Sequence, residues 1–188
     1  MNRILLISGS ARNGNCKTIL EDIQKNFWLS IGTEVIYLRD FDLTPCYGCS
    51  ACNSTEDNEC VKGDKHHLIV QKIMDSDIII LATPNYFYNM SALTKSFIDK
   101  TIAYYKLGTL KNKKFIFVYT GEDSPENTKK YLDSAMLGFI DCHEIESLGS
   151  FAIQCGEIND FNDLNTKNLI VEEISNLIRK NLPKETEE

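Results

Sequence analysis

Four cysteines fall within fifteen residues, Cys46-Tyr47-Gly48-Cys49-Ser50-Ala51-Cys52 and then Cys60. Thiols at this spacing can converge on one small volume, and a fourth returning from a short loop completes a tetrahedral set. Thiolate sets of that kind hold iron–sulfur clusters or zinc. A compact C-x2-C-x2-C run suits a cubane cluster, while structural zinc more often uses two separated C-x2-C pairs. His66 and His67 are close enough in sequence to replace a thiolate, although adjacent histidines at a helix start usually face solvent. Spacing alone leaves a cluster, a zinc ion and a metal-free loop all open.

Two further segments carry chemistry. The first is Ser8-Gly9-Ser10-Ala11-Arg12-Asn13-Gly14-Asn15-Cys16-Lys17-Thr18, between an apolar run and a helical pattern. A glycine-bearing turn there presents free backbone N–H groups to an anion, and the helix dipole adds to them. Ser8, Ser10, Asn15 and Thr18 can supply side-chain donors, with Arg12 and Lys17 as nearby cations. The nucleotide triphosphatase loop is excluded, because Gly14 is followed by Asn15-Cys16 before Lys17-Thr18. The dinucleotide pattern G-x-G-x-x-G also fails after Gly9. The second segment is Thr83-Pro84-Asn85-Tyr86-Phe87-Tyr88-Asn89. Its aromatics and proline-stiffened backbone suit a flat ring system, with backbone groups of 85–89 free to bond the ring's polar edge. The same aromatics also suit a hydrophobic corner packed on a neighbour or a second copy.

These segments need a scaffold, and the apolar pattern describes one. Short runs at 3–8, 34–38, 77–82, 114–119 and within 145–153 read as strands. Helical periodicity fills 15–29, 64–75, 91–103, 126–139 and 165–181. Strands of continuous apolar character alternating with helices indicate an α/β fold, a parallel sheet covered on both faces. Right-handed crossovers make it doubly wound, with ligands beyond the strand C-termini. At 188 residues the chain is expected to form one domain over 1–182, with a cysteine-rich loop at 45–63 and a charged tail at 183–188. A net charge of −7 argues against nucleic acid or an anionic membrane as partner. No apolar stretch approaches the ~20 residues of a membrane span. Ile4-Leu5-Leu6-Ile7 is too short for a signal-peptide core, so a cytoplasmic protein is expected. Seven cysteines are then free thiols or ligands rather than a disulfide framework; Cys16, Cys142 and Cys155 read as scattered buried or helix-facing residues.

Taken together, Gly9-Ser10-x-Arg12-x-Gly14-Asn15-x-x-Thr18, Pro45-Cys46-x-Gly48-Cys49-x-x-Cys52…Cys60 and Pro84-x-Tyr86…Ala92-x-x-Lys95-x-Phe97-x-Asp99 form an ordered set. On them the chain resembles the flavodoxin-like NAD(P)H-dependent FMN reductases, and within these the iron–sulfur flavoprotein branch. The resemblance implies a five-stranded parallel sheet in the order 2-1-3-4-5. It implies FMN, its phosphate at Ser8, Ser10, Arg12, Asn15, Cys16, Lys17 and Thr18. The ring would lie against Pro84, Asn85, Tyr86, Phe87, Tyr88 and Asn89. A third loop, Thr120-Gly121-Glu122-Asp123-Ser124, would close over it. That loop departs from the glycine-rich form of the family. A carboxylate pair near the ring would lower its potential; the same pair pointing to solvent would cap the following helix. In the iron–sulfur branch the motif at Cys46, Cys49, Cys52 and Cys60 ligates a [4Fe–4S] cluster.

The implied activity is an FMN-dependent oxidoreductase. Reduced nicotinamide, NADH or NADPH, would bind transiently and reduce the flavin, which would pass electrons to a quinone, a free flavin or a protein. With a cluster, a ferredoxin-type partner becomes natural. The chemistry belongs to the cofactor, so no acid–base residue is expected. Reductases of this kind expose the ring at a homodimer or homotetramer interface, whereas flavodoxin-type carriers bury it in a monomer. Two other uses of a similar architecture are excluded. Receiver domains need an acidic pocket after the first strand, where Ser8-Gly9-Ser10 stands, and small tyrosine phosphatases need C-x5-R, where Asp22 follows Cys16 six residues on.

Overall fold

The computed structural model describes residues 2–27, 31–55 and 59–183. Five strands, β1 Arg3–Ser8, β2 Gly32–Tyr37, β3 Ile78–Pro84, β4 Lys114–Gly121 and β5 Glu146–Gln154, form one sheet in the order β2-β1-β3-β4-β5. Every pairing is parallel, with Leu6 beside Val35 and Ile80, and Ile80 beside Ile116. This is the doubly wound, flavodoxin-like order that the motifs imply. Helices α1 Asn15–Lys25, α2 His66–Met74, α3 Ala92–Lys100, α4 Ile102–Tyr105, α5 Pro125–His143 and α6 Leu164–Asn181 cover both faces.

Side chains alternate across the sheet, so each strand feeds two cores. Leu5, Ile7, Ile79, Leu81, Phe115 and Phe117 face Ile69 and Ile73 of α2, Phe97 of α3 and Leu132, Met136 and Phe139 of α5. Ile4, Leu6, Ile78, Ile80, Ile116 and Val118 face Ile19, Leu20 and Ile23 of α1 and Val171, Ile174 and Ile178 of α6. Both faces of β3 are sealed, which is why residues 78–82 carry no polar side chain.

Three helices differ from the sequence reading by more than two residues. Helix α1 ends at Lys25, and the expected continuation through 28–29 lies outside the described residues. The helix expected over 91–103 is two helices. Thr101 breaks it by turning its N–H and its hydroxyl onto the Ile98 carbonyl, at 3.0 and 2.6 Å, in place of the i−4 bond. Helix α5 runs on to His143 and ends at Glu144, whose φ of 52° closes the turn. Among the described residues no helix is long and apolar enough to cross a membrane.

Candidate functional site

The C-terminal ends of the strands are stitched into a firm rim. Gly9 N–H donates to the Ala82 carbonyl at 2.7 Å, Asn85 N–H to Thr120 at 2.7 Å, and Cys155 N–H to Gly121 at 2.8 Å. Above this rim opens a cavity of about 420 Å³, within the range of small-molecule sites. Arg12 and Asn15 line one end, Pro84 to Tyr88 one wall, and Thr120 to Asp123 with Cys155 and Gly156 the other.

At the Arg12 end, Gly14 N-caps α1 and the first ladder bond runs from Thr18 N–H to Gly14 at 3.2 Å. The N–H groups of Asn15, Cys16 and Lys17 therefore have no intrahelical acceptor. The side chains expected to help them are mostly engaged elsewhere. Asn15 donates to Glu157 O at 3.0 Å and accepts Asn159 N–H at 2.7 Å, and Thr18 Oγ1 donates to Asn159 Oδ1 at 2.6 Å. Ser8 Oγ accepts Ser10 N–H, and Ser10 Oγ bonds both backbone groups of Arg12, so these hydroxyls shape the turn. Lys17 reaches Glu21 at 3.6 Å on the outer face of α1. Cys16 points inward, with Sγ 3.3 Å from Thr120 Oγ1, and burial pushes its thiol up to about 12. Of the two cations expected at this end, Arg12 lines the cavity and Lys17 does not.

The aromatic wall is a tight turn. Phe87 and Tyr88 have φ of 51° and 59°, while Tyr86 and Asn89 exchange backbone bonds of 2.8 and 3.0 Å, the geometry of a type I′ hairpin turn. Non-glycine residues in this region cost about 1–2 kcal/mol each. The turn spends the N–H groups of Tyr86 and Asn89 on itself and that of Asn85 on Thr120. Those of Phe87 and Tyr88 remain as the backbone donors of the loop. Phe87 is fully exposed and Tyr88 leans on Tyr131 of α5, ring centroids 4.5 Å apart. Asn89 does not line the cavity; its Oδ1 accepts Met90 N–H at 2.8 Å.

Two acceptors in this cavity are buried without a hydrogen-bond partner, Asn85 Oδ1 and Asp123 Oδ2. Unpaired buried acceptors are costly, so their presence marks a place for a ligand's N–H or O–H groups. Asn85 Nδ2 is tied to Thr128 Oγ1 at 3.2 Å, which aims Oδ1. The charge of Asp123 pushes the Tyr88 phenol above its usual value. The expectation that the acidic pair caps the next helix is corrected. Ser124 caps α5 by accepting Asn127 N–H at 3.2 Å, and Asp123 stays in the cavity wall beside Glu122. A flat heterocycle with a polar edge and an anionic tail fits this arrangement of open acceptors, aromatic wall, arginine and helix start.

The cysteine loop joins β2 to α2 and packs beside α4. Cys46, Cys49, Cys52 and Cys60 all line one cavity of about 120 Å³, closed by Val61 and by Ile102 of α4. Gly48, with φ of 64°, folds the backbone so that its N–H faces Cys46 Sγ at 3.5 Å. Among the described residues no three of these thiols stand close enough together to hold one ion. His66 does not face solvent as expected. It is 2% exposed, its Nε2 is 2.9 Å from the Phe97 carbonyl, and its ring stacks on Tyr104, so it is committed to the core. Burial holds it down to about 4.

Comparison with known proteins agrees with this geometry. The NADPH-dependent FMN reductase family matches residues 2–152. The chain belongs to that family. An iron–sulfur flavoprotein of Archaeoglobus fulgidus is 31% identical over 100 residues, 53% of this chain and 48% of its own. One from Methanocaldococcus jannaschii is 36% identical over 101 residues, 53% of this chain and 51% of its own. The chain spans about half the length of these curated relatives. The solved Trp repressor binding protein of Bacillus subtilis shares the fold, with a TM-score of 0.67 and 19% identity over 98% of this chain and 99% of that one.

Two lining residues escaped the sequence reading as holders of a cofactor: Cys155 and Gly156. The rule that ligands sit beyond strand C-termini would have reached both, since they directly follow β5.

Proposed function

We propose that this chain is an FMN-dependent oxidoreductase that takes electrons from NADH, NADPH or a ferredoxin and delivers them to a quinone, a flavin or a protein. The observation that carries the reading is the cavity over the strand ends with its two unpartnered acceptors, Asn85 Oδ1 and Asp123 Oδ2. Bound there, FMN would supply exchange between two-electron and one-electron carriers. The residues of this chain bind and orient it. Arg12 and the N–H groups of Asn15, Cys16 and Lys17 meet the phosphate, while Ser8, Ser10 and Thr18 hold the turn in shape. Pro84, Asn85, Tyr86, Phe87 and Tyr88 form one wall for the ring, fixed at its base by Asn89. Thr120, Gly121, Glu122 and Asp123 form the other, with Ser124 anchoring it to α5. The exposed Phe87, Tyr86 and Tyr88 favour a homodimer or homotetramer in which a second copy covers this edge.

The donor set of the cysteine loop fits a [4Fe–4S] cluster, since four thiols line one cavity. Cys46, Cys49, Cys52 and Cys60 would hold it, and it would supply one-electron transfer. The separation of the thiols favours a second reading, a metal-free reductase whose cysteine loop is structural.

Anaerobic purification, a visible spectrum and an iron assay test both. Flavin bands near ~450 nm with about four irons per chain support the cluster form. Flavin bands without iron leave the metal-free reductase. A protein that takes up no FMN overturns the proposal.

A further inference from the structure

Lys100 closes α3 with a side chain 1% exposed, and its ion-pair partner Asp64 is 3% exposed. A buried pair of this kind is poor stabilisation, since apolar residues of the same volume often serve as well or better. The pair therefore calls for another account, and its surroundings supply one. An ammonium has three donors, and each finds an acceptor here: the Asp64 carboxylate, Thr44 Oγ1 at 2.9 Å and Cys60 Sγ at 3.8 Å. Asp64 is fixed in turn. Its Oδ2 accepts the N–H and the hydroxyl of Thr44 at 3.1 and 3.2 Å, and its Oδ1 accepts His66 N–H at 3.2 Å. Thr44 lies just before Cys46 and Asp64 shortly after Cys60. Both ends of the cysteine loop are thus tied to one cation that arrives from a different helix.

The direction of this cation matters as much as its burial. Its ammonium meets the Cys60 thiol directly, while the Asp64 carboxylate has no bond to that sulfur and is spent on Lys100, Thr44 and the His66 N–H. A positive donor aimed at a ligating sulfur favours the more negatively charged, reduced form of an iron–sulfur centre. Hydrogen bonds to sulfur and local net charge are among the terms that set cluster potentials.

We propose that Lys100 is a positioning residue that fixes Cys60 for ligation and raises the reduction potential of the cluster, with Asp64 as its counterweight. The inference rests on the cluster reading above.

The test compares the full chain with Lys100→Met, Lys100→Arg and Asp64→Asn, all purified anaerobically. Iron per chain is measured, and the cluster midpoint is followed by electron paramagnetic resonance to separate it from the flavin. Lys100→Met should lower the one-electron equilibrium constant for reduction about tenfold, about 59 mV. Asp64→Asn, which keeps the cation and removes its counter-anion, should shift the midpoint upward. Lys100→Arg should stay near the parent. A staple with no electrostatic role would cost iron in both neutral variants without moving the midpoints in opposite directions, and that result overturns the inference. If Lys100→Met fails to fold or loses its iron, Asp64→Asn decides: an upward shift supports the inference, and an unchanged or lowered midpoint overturns it. A parent protein with flavin and no iron overturns it through the cluster reading itself, and the parent alone reveals that case.

Discussion

Thr94 Oγ1 stands where a side chain on Gly9 would begin, since a Cβ built on Gly9 would lie 1.9 Å from it and 3.2 Å from the Ala82 carbonyl. The two residues join the first and third strand ends. Gly9 N–H bonds Ala82, the Gly9 carbonyl accepts Ser91 Oγ at 2.6 Å, and Thr94 Oγ1 donates to Thr83 Oγ1 at 3.0 Å. Glycine is required here for space. Gly9→Ala should destabilise the protein by about 1–3 kcal/mol, the usual range for overpacking, and weaken FMN uptake. Adding Thr94→Ala should recover part of the loss by removing the nearer atom. Urea midpoints for the four proteins of this cycle check the coupling, and simple additivity would show that crowding against Thr94 is not the cause.

Asn15 and Asn159 define a second junction, across 144 residues of chain. Asn15 uses both ends of its amide on the segment after β5, and Thr18 adds a third bond to it. That segment is thereby held down beside the phosphate end of the cavity. Asn15→Ala removes two hydrogen bonds, one of them from the Asn159 backbone N–H, and should cost about 1–3 kcal/mol. It should also speed amide exchange at residues 157–160 while leaving β1 protected. Unchanged exchange in that segment would mean that the side chain acts elsewhere, on the cofactor phosphate for instance.

The contrast between these two junctions explains what could be read from the chain. The runs at 3–8, 77–82 and 114–119 are apolar on both faces because each feeds two cores, and this pattern is visible without coordinates. The loops after β1, β3 and β4 were legible because their residue types announce backbone donors, aromatics and turns. The return of residues 155–159 over the first loop was not, because its bonds pair polar residues far apart that have no periodicity. His66 was misread for a related reason. Its burial follows from Phe97 and Tyr104 on other helices, and nothing in its own neighbours signals that. The helix break at Thr101 depends on one hydroxyl choosing a carbonyl, which periodicity does not register.

His66 gives the fold an acid weakness. Burial lowers its folded-state value to about 4, against an ordinary 6.5. The unfolded chain therefore binds the proton more readily between these values, and stability falls as pH drops from 6.5 toward 4. By pH 5 the loss from this residue is about 2 kcal/mol. His143 is also held down by burial and works in the same direction. Urea unfolding at pH 7.5 and pH 5 should show the drop, and His66→Gln should flatten it. An equal drop in His66→Gln would assign the acid sensitivity to other groups.

Asp123 is one of two adjacent carboxylates in a loop that the resemblance would make glycine-rich, and its position in the cavity wall gives it a cost and a use. Its Oδ2 is buried, and its charge already raises the adjacent Tyr88 phenol. A fixed negative charge beside a bound flavin opposes the added electron density of the reduced form. Asp123→Asn keeps the size of the side chain and removes the charge. It should raise the two-electron midpoint of bound FMN by about 30 mV or more, equivalent to about 1.4 kcal/mol. Reduced FMN should bind more tightly than in the parent protein, while oxidised FMN changes less. Dye-equilibrated reductive titration with a fluorimetric measurement of oxidised FMN affinity reads both. A midpoint that does not move would place the carboxylate too far from the ring to act on it, and would leave Asn85 as the acceptor that meets the flavin.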